Sequence, residues 1–356
     1  MEARRLELVR QRLAASNLDG LLVTNPHNRK YMTGFSGSAG YVLVTQDQAL
    51  LLTDFRYTDQ AAEQAKAYEV VKHAARPADT IAAALRTAGV RRLGFEHNHV
   101  TYASYEAYRE QFAGVELAPA GGIVEELRAI KDEREIGCIR KAVELTELAF
   151  EHILGVLKPG MSELNVSAEL EYAIRRAGAP SSAYATIVAS GERGALPHGL
   201  ASGKRLARGE LVTLDFGASC EGYCADLTRT VCLGTPSEKQ KELYGIVLEA
   251  NRAALEGLKP GMSGKDGDSL ARTVIAERGY GPNFGHGLGH AFGLEIHEPV
   301  RLSQQSDDIL RPGMALTVEP GIYVPGFGGV RIEDDIVVTE TGIEVLTKAN
   351  KELIVL

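Results

Sequence analysis

The chain has 356 residues, of which 44% are hydrophobic and 24% charged, enough length and apolar content for two cores rather than one. Its net charge is −8, from 39 basic and 47 acidic residues with no basic block, which excludes a nucleic-acid or anionic-membrane surface as the organising feature. No apolar run is long enough to span a bilayer, MEARR leads into an amphipathic pattern rather than a signal-peptide core, and four cysteines are too few for a disulfide scaffold. A cytoplasmic protein with reduced, buried thiols is expected.

Apolar runs at 18–24, 41–45, 49–53 and 69–72 predict strands, the second and third joined by a short polar turn as a hairpin requires. Helical periodicity covers 2–16, 58–66, 79–87 and 102–111. These elements predict a small α/β domain over residues 1–125. APAGG at 118–122 breaks the pattern, and a charged amphipathic helix over 125–150 opens a second domain, 126–356.

The second domain repeats itself. LKPGMS occurs at 157–162 and at 258–263, each time between two helical patterns, and Ser162 and Ser263 are natural N-caps for the helix that follows. RGELVTLDFG from 208 matches RPGMALTVEPG from 311, so that Asp215 corresponds to Glu319. Two halves, each helix, helix, then β-hairpin, predict a pseudo-two-fold domain. Asp226 is expected on the return strand of the first hairpin and Glu333 on a return strand over 330–338. Four carboxylates at the ends of two hairpins, buried without cations or donors, would each cost several kcal/mol. Divalent metals take carboxylate and imidazole ligands, and paired metals are a common hydrolytic arrangement. His286, His290 and His297 fall within GHGLGHAFGLEIH, where glycines let the backbone come close to a site. Each residue alone is ordinary: an acid at a strand end is usually solvated, and a lone histidine is usually structural. Matching acids on two related hairpins with a histidine cluster between them are not.

Together LDFGASCEGYCADLTRT, HGLGHAFGLEIHE, TVEPGIY and GGVRIEDD, with NRKYMTGFSGSAG and LLTDFRY near the N-terminus, resemble the pita-bread metallopeptidases over essentially the whole chain. The resemblance implies an α/β (α+β) architecture, with a small creatinase-like N-terminal domain before a pseudo-two-fold pita-bread catalytic domain. It implies two divalent metal ions per subunit, manganese first with cobalt or zinc possible, held by Asp215, Asp226, His290, Glu319 and Glu333, with Asp226 and Glu333 bridging. His198 and His297 match histidines that act on the substrate, and Glu319 matches the general base. His286 matches a substrate-binding histidine that precedes the metal histidine by four in aminopeptidase P, Tyr323 and Arg331 match residues on the proline side of the pocket, and Arg301 sits where small prolidases place a carboxylate-binding arginine. The expected substrates are peptides with proline in second position, and the expected assembly is a homodimer or dimer of dimers. GFSGSAG and His286 favour Xaa-Pro aminopeptidase, with Xaa-Pro dipeptidase as the alternative. Methionine aminopeptidases lack the N-terminal domain and creatinase lacks the full metal set. A non-catalytic peptide-binding relative is the alternative of a different class, and retention of all five ligands argues against it.

Overall fold

The computed structural model describes residues 2–356 and divides into two compact units, one ending at Arg128 and the other running Ala129–Leu356. The first contains α1 (Glu2–Ala15), β1 (Gly20–Val23), α2 (Pro26–Thr33), β2 (Tyr41–Thr45), β3 (Ala49–Thr53), α3 (Thr58–Gln64), β4 (Glu69–Lys72), α4 (Pro77–Thr87), β5 (Arg92–Phe95), α5 (Tyr102–Gln111), β6 (Glu116–Pro119) and α6 (Ile123–Arg128). Its six strands form one mixed sheet in the order β4-β3-β2-β1-β5-β6. The predicted hairpin is present, with Tyr41 opposite Leu52. Leu21, Leu22 and Val23 of β1 are fully buried, as expected of a central strand covered on both faces. β5 and β6 escaped the sequence reading because RLGF and ELAP are short and lack a β-branched run. Gly94 in β5 is required by packing, since a Cβ there would come within 2.8 Å of Ala120 and 2.9 Å of Leu18. α2 is also short, and its start is set by chemistry rather than periodicity: Asn25 caps it through bonds from the His27 and Asn28 amides, with Pro26 in the first turn.

The second unit shows the duplicated plan. In the first half α7 (Glu133–Val156) and α8 (Glu163–Arg176) precede β7 (Ile187–Ser190), β8 (Leu211–Phe216), β9 (Ser219–Cys220), β10 (Tyr223–Cys224) and β11 (Leu227–Cys232). In the second, α9 (Glu238–Gly257) and α10 (Gly264–Glu277) precede β12 (Gly289–Ala291), β13 (Glu298–Leu302), β14 (Ala315–Val318), β15 (Gly321–Val324), β16 (Gly328–Arg331), β17 (Asp334–Val338) and β18 (Ile343–Val345). Ser162 and Ser263 cap α8 and α10, accepting from the Asn165 and Asp266 amides. Apolar residues of α7 and α8, such as Phe150 and Leu170, pack on Leu214 and Val231 of the β11-β8-β7 sheet. Those of α9 and α10, such as Val247 and Ile275, pack on Leu316 and Ile336 of the β13-β12-β14-β17-β18 sheet. Each half therefore buries one helix pair against one antiparallel sheet.

The return strand expected over 330–338 is broken. β16 pairs with β15 while β17 pairs with β14, so the chain changes partner at Ile332 and Glu333. Asp226 likewise lies just before β11 rather than within it. Carboxylates at such breaks are free of the strict alternation of a ladder and can converge.

A buried ion pair ties the start of this unit to its second half. Lys131 Nζ lies 3.0 Å from Glu298 Oε2, with both side chains almost fully enclosed. Lys131→Met removes the cation and leaves the Glu298 charge in the interior, which is expected to cost about 3–5 kcal/mol. Urea unfolding of the variant measures this, and an unchanged midpoint would show the pair to be dispensable.

Candidate active site

The hairpin ends meet at a cavity of about 380 Å³. Asp215, at the end of β8, lies opposite both Thr228 of β11 and Ile187 of β7. His290 is brought in by β12, where its amide donates to Thr317 Oγ1 at 3.1 Å. Glu319 follows β14 directly, its amide bonded to the Leu288 carbonyl at 2.8 Å. Gly289 is obligatory here, because a Cβ would collide with the Thr317 carbonyl. Of the residues singled out from the sequence, Asp215, Asp226, His290, Glu319, Glu333, His198, His286, His297, Arg301 and Arg331 all line the cavity. Tyr323 stands behind it, its hydroxyl 2.8 Å from His286 Nε2 and 2.9 Å from Arg331 Nη1.

The charges are crowded. Burial, then repulsion from Asp215 and Glu319, holds the Asp226 carboxyl well above the usual range. Burial and the neighbouring Asp226, Glu319 and Asp215 do the same to Glu333. Burial pushes Glu319 up to about 7, although Arg331 pulls it down. Arg331 offsets part of this excess: its Nη2 lies 2.5 Å from Asp215 Oδ2.

Tyr184 was not singled out from the sequence. Its hydroxyl bonds Asp215 Oδ1 at 2.7 Å and also Asp226 Oδ1. Nothing in SSAYATIV distinguishes it from an ordinary loop tyrosine, because only the approach of β8 and β11 gives it two carboxylates to bond.

Asp226, His290 and Glu333 present one donor atom each within 4.8 Å of one another. Burial pushes His290 down to about 3, so it is neutral. Its Nδ1 faces the Ala291 carbonyl at 3.3 Å and must carry the proton there, because a carbonyl only accepts. The Nε2 lone pair therefore faces Glu319 Oε1 at 3.4 Å and Asp226 Oδ2 at 3.6 Å. Three atoms able to ligate a cation converge at this point. Glu333 Oε2 accepts from Thr228 at 2.5 Å, while its Oε1 is buried with no hydrogen-bond partner among the described residues. A buried acceptor left unpaired costs free energy, and a carboxylate and imidazole set of this kind fits a divalent cation. Asp215 and Glu319 border the same cluster.

A second chain of bonds runs along one wall. The neutral His286, pushed down to about 4 by burial, places Nδ1 at 2.8 Å from the Gly287 carbonyl. Its Nε2 thus accepts from the Tyr323 hydroxyl, which in turn accepts from Arg331. His297 stacks edge-on against His290 with centroids 4.3 Å apart. Arg301 lies opposite His290 across β12 and β13, where the register slips. The bulge puts Val300 at φ 89°, an unusual conformation for a β-branched residue, and bulges of this kind re-aim the neighbouring side chain. The Arg301 guanidinium has no ion-pair partner among the described residues.

A helix-paired, duplicated hairpin domain with a carboxylate and histidine cluster at its centre defines a metallopeptidase of the pita-bread type. The chain belongs to metallopeptidase family M24, which matches residues 137–340, and carries a Creatinase/Prolidase N-terminal domain over residues 5–130. As a member of that family it works with divalent metal ions. It is similar to the Xaa-Pro dipeptidase of Bacillus anthracis, at 50% identity and TM-score 0.98 over all of both chains. The Xaa-Pro dipeptidase of Pyrococcus horikoshii is 42% identical over 95% of each chain. The X-Pro aminopeptidase of Thermotoga maritima is 39% identical over 96% of this chain and 98% of its own, with TM-score 0.91. No helix among the described residues is long and apolar enough to cross a membrane.

Proposed function

We propose that the protein is an Xaa-Pro dipeptidase that uses two divalent cations, manganese first, held by Asp215, Asp226, His290, Glu319 and Glu333. When bound, the cations supply a hydrolytic water whose pKa is lowered toward neutrality. Glu319 would act as the general base, taking a proton from the attacking water and delivering it to the leaving nitrogen of proline. His297 donates to the oxygen that becomes negative at the scissile carbonyl, and His198, which also lines the cavity, contacts the substrate. The His286–Tyr323–Arg331 chain forms the wall on the proline side. Proline in peptide linkage carries no N–H, so a site without an acceptor at that atom leaves other amides with an unpaired donor and rejects them.

The sequence reading favoured Xaa-Pro aminopeptidase, with the dipeptidase second. Arg301 supports reversing that order. An unpaired guanidinium at the cavity wall, in a site otherwise dominated by carboxylates, suits the free C-terminal carboxylate that a dipeptide places one residue from the scissile bond. The two dipeptidases among the similar proteins support the same order, while the Thermotoga aminopeptidase supports the first. Hydrolysis of Xaa-Pro dipeptides beside Xaa-Pro-Xaa tripeptides, with and without manganese, tests the proposal. Metal-dependent cleavage of dipeptides in preference to tripeptides is the expected result. Preference for the tripeptides would restore the aminopeptidase reading, and cleavage of neither would overturn both.

A further inference from the structure

We propose that Glu163 is a positioning residue that fixes the loop bearing His198, an inference that rests on the role given to His198 above. Glu163 is the first residue of α8 and is fully buried. Its Oε1 accepts from the Ser190 amide at 2.9 Å and the Ser190 hydroxyl at 2.8 Å. Its Oε2 accepts from Arg193 Nε at 2.9 Å, the Ser202 amide at 3.1 Å and the Ser202 hydroxyl at 2.6 Å. All of these donors belong to residues 190–202. One carboxylate thus closes the loop at both ends and grips it in the middle, and Arg193 adds an inner tie to the Leu200 carbonyl at 2.6 Å.

The loop presents Pro197 and His198 to the cavity. From the cavity side, Arg331 Nη1 reaches the Pro197 carbonyl at 3.2 Å. The His198 side chain is exposed and makes no hydrogen bond of its own among the described residues. The backbone therefore fixes the point from which the imidazole reaches into the cavity, and the segment that carries it is held by Glu163. A buried carboxylate needs its donors, and these donors need it, so the loop has one low-energy arrangement rather than several.

The device is not a by-product of the duplication. The position matching Glu163 in the second half is Gly264, where any side chain would collide with the Arg301 carbonyl and Ser306. There the loop before His290 is held from another position. Arg272, paired with buried Asp268 at 2.6 Å, donates to the carbonyls of Phe284 at 2.8 Å and His286 at 2.6 Å. Asp268 also accepts from the Leu288 amide at 3.0 Å. Each histidine loop has its own carboxylate anchor.

The test is a double-mutant cycle on the manganese-loaded protein with an Xaa-Pro dipeptide, using Glu163→Gln, His198→Ala and their combination. Glutamine keeps the volume of Glu163 and can still accept at one end, but its amide nitrogen meets donors at the other. Glu163→Gln is expected to lower kcat/KM roughly 10- to 100-fold, the scale of an ångström-level misplacement, with manganese content unchanged. In the His198→Ala background the same change should cost less than about twofold, since the group being positioned is gone. Losses that multiply in the double variant would overturn the inference, as would an unchanged Glu163→Gln beside an impaired His198→Ala. Full activity of His198→Ala would remove the role of His198 and the inference with it, while the dipeptidase reading would stand on wild-type cleavage. If Glu163→Gln does not fold, Ser202→Ala removes one donor to Glu163 along with the acceptor of the Lys204 amide and enters the same cycle with an expected loss of about threefold.

Discussion

Glu333→Gln is expected to lower kcat/KM by about three orders of magnitude or more while leaving the metal-free protein as stable as wild type or more so. The two effects have one cause. Glu333 Oε1 is buried with no hydrogen-bond partner among the described residues, and its carboxyl is held well above its ordinary range by burial and by Asp226, Glu319 and Asp215. A charge in that position is unfavourable until a cation arrives. Glutamine keeps the shape and can still accept from Thr228, but it removes the anion proposed above as a metal ligand. The polarisation that bound cations give to water is worth several kcal/mol, and each 1.36 kcal/mol lost is tenfold in rate. Manganese at about 100 times its dissociation constant should stabilise the wild type by about 2.7 kcal/mol and the variant by much less. Thermal melts of both proteins, chelated and manganese-loaded, with parallel assays, give all four quantities. A variant that keeps the manganese-induced shift and the wild-type rate would remove Glu333 from the metal site.

Arg301→Ala is expected to cut kcat/KM for Xaa-Pro dipeptides roughly 10- to 100-fold and to leave the corresponding Xaa-Pro amides nearly unchanged. The estimate follows from the loss of a hydrogen bond to a charged group, about 1.5–3 kcal/mol, with the lower end favoured because Arg301 is exposed in the absence of substrate. Most of the effect should fall on KM, since the carboxylate takes no part in the bond change and is held equally in ground and transition states. The amide control matters because it lacks the anion and nothing else. Equal losses on acid and amide substrates would show that Arg301 serves the pocket in general, and no loss on either would return it to an ordinary surface role.

Much of the site could be read from the sequence because its residues sit on a repeated unit. LDFG and VEPG placed Asp215 and Glu319 at matching strand ends, and the glycine-spaced histidines marked a close approach of the backbone. Asp226 and Glu333 were legible as residues, but their placement on continuous return strands was not correct. Strand periodicity cannot report that β16 and β17 choose different partners, because that choice is made by the neighbouring strands. Tyr184, Glu163 and Asp268 left no local mark. Their importance comes from oxygen atoms brought within 3 Å of residues far away in sequence, such as Asp215 from Tyr184 and Ser202 from Glu163.

The sequence by itself determined the class of chemistry. Hydrophobic periodicity laid out the helices, Ser162 and Ser263 started two of them, and the duplicated hairpins declared which carboxylates belong together. The tertiary structure alone decided how these groups are used. It turned the His290 lone pair toward Asp226 and Glu319, left Glu333 Oε1 with no partner among the described residues and brought Arg301 to the cavity wall beside a bulge. The physical reason is range. Caps, turns and alternation act within a few residues, so they are written locally. Burial, like-charge repulsion and hydrogen-bond satisfaction depend on every group within a few ångströms, and that set exists only once the chain has folded.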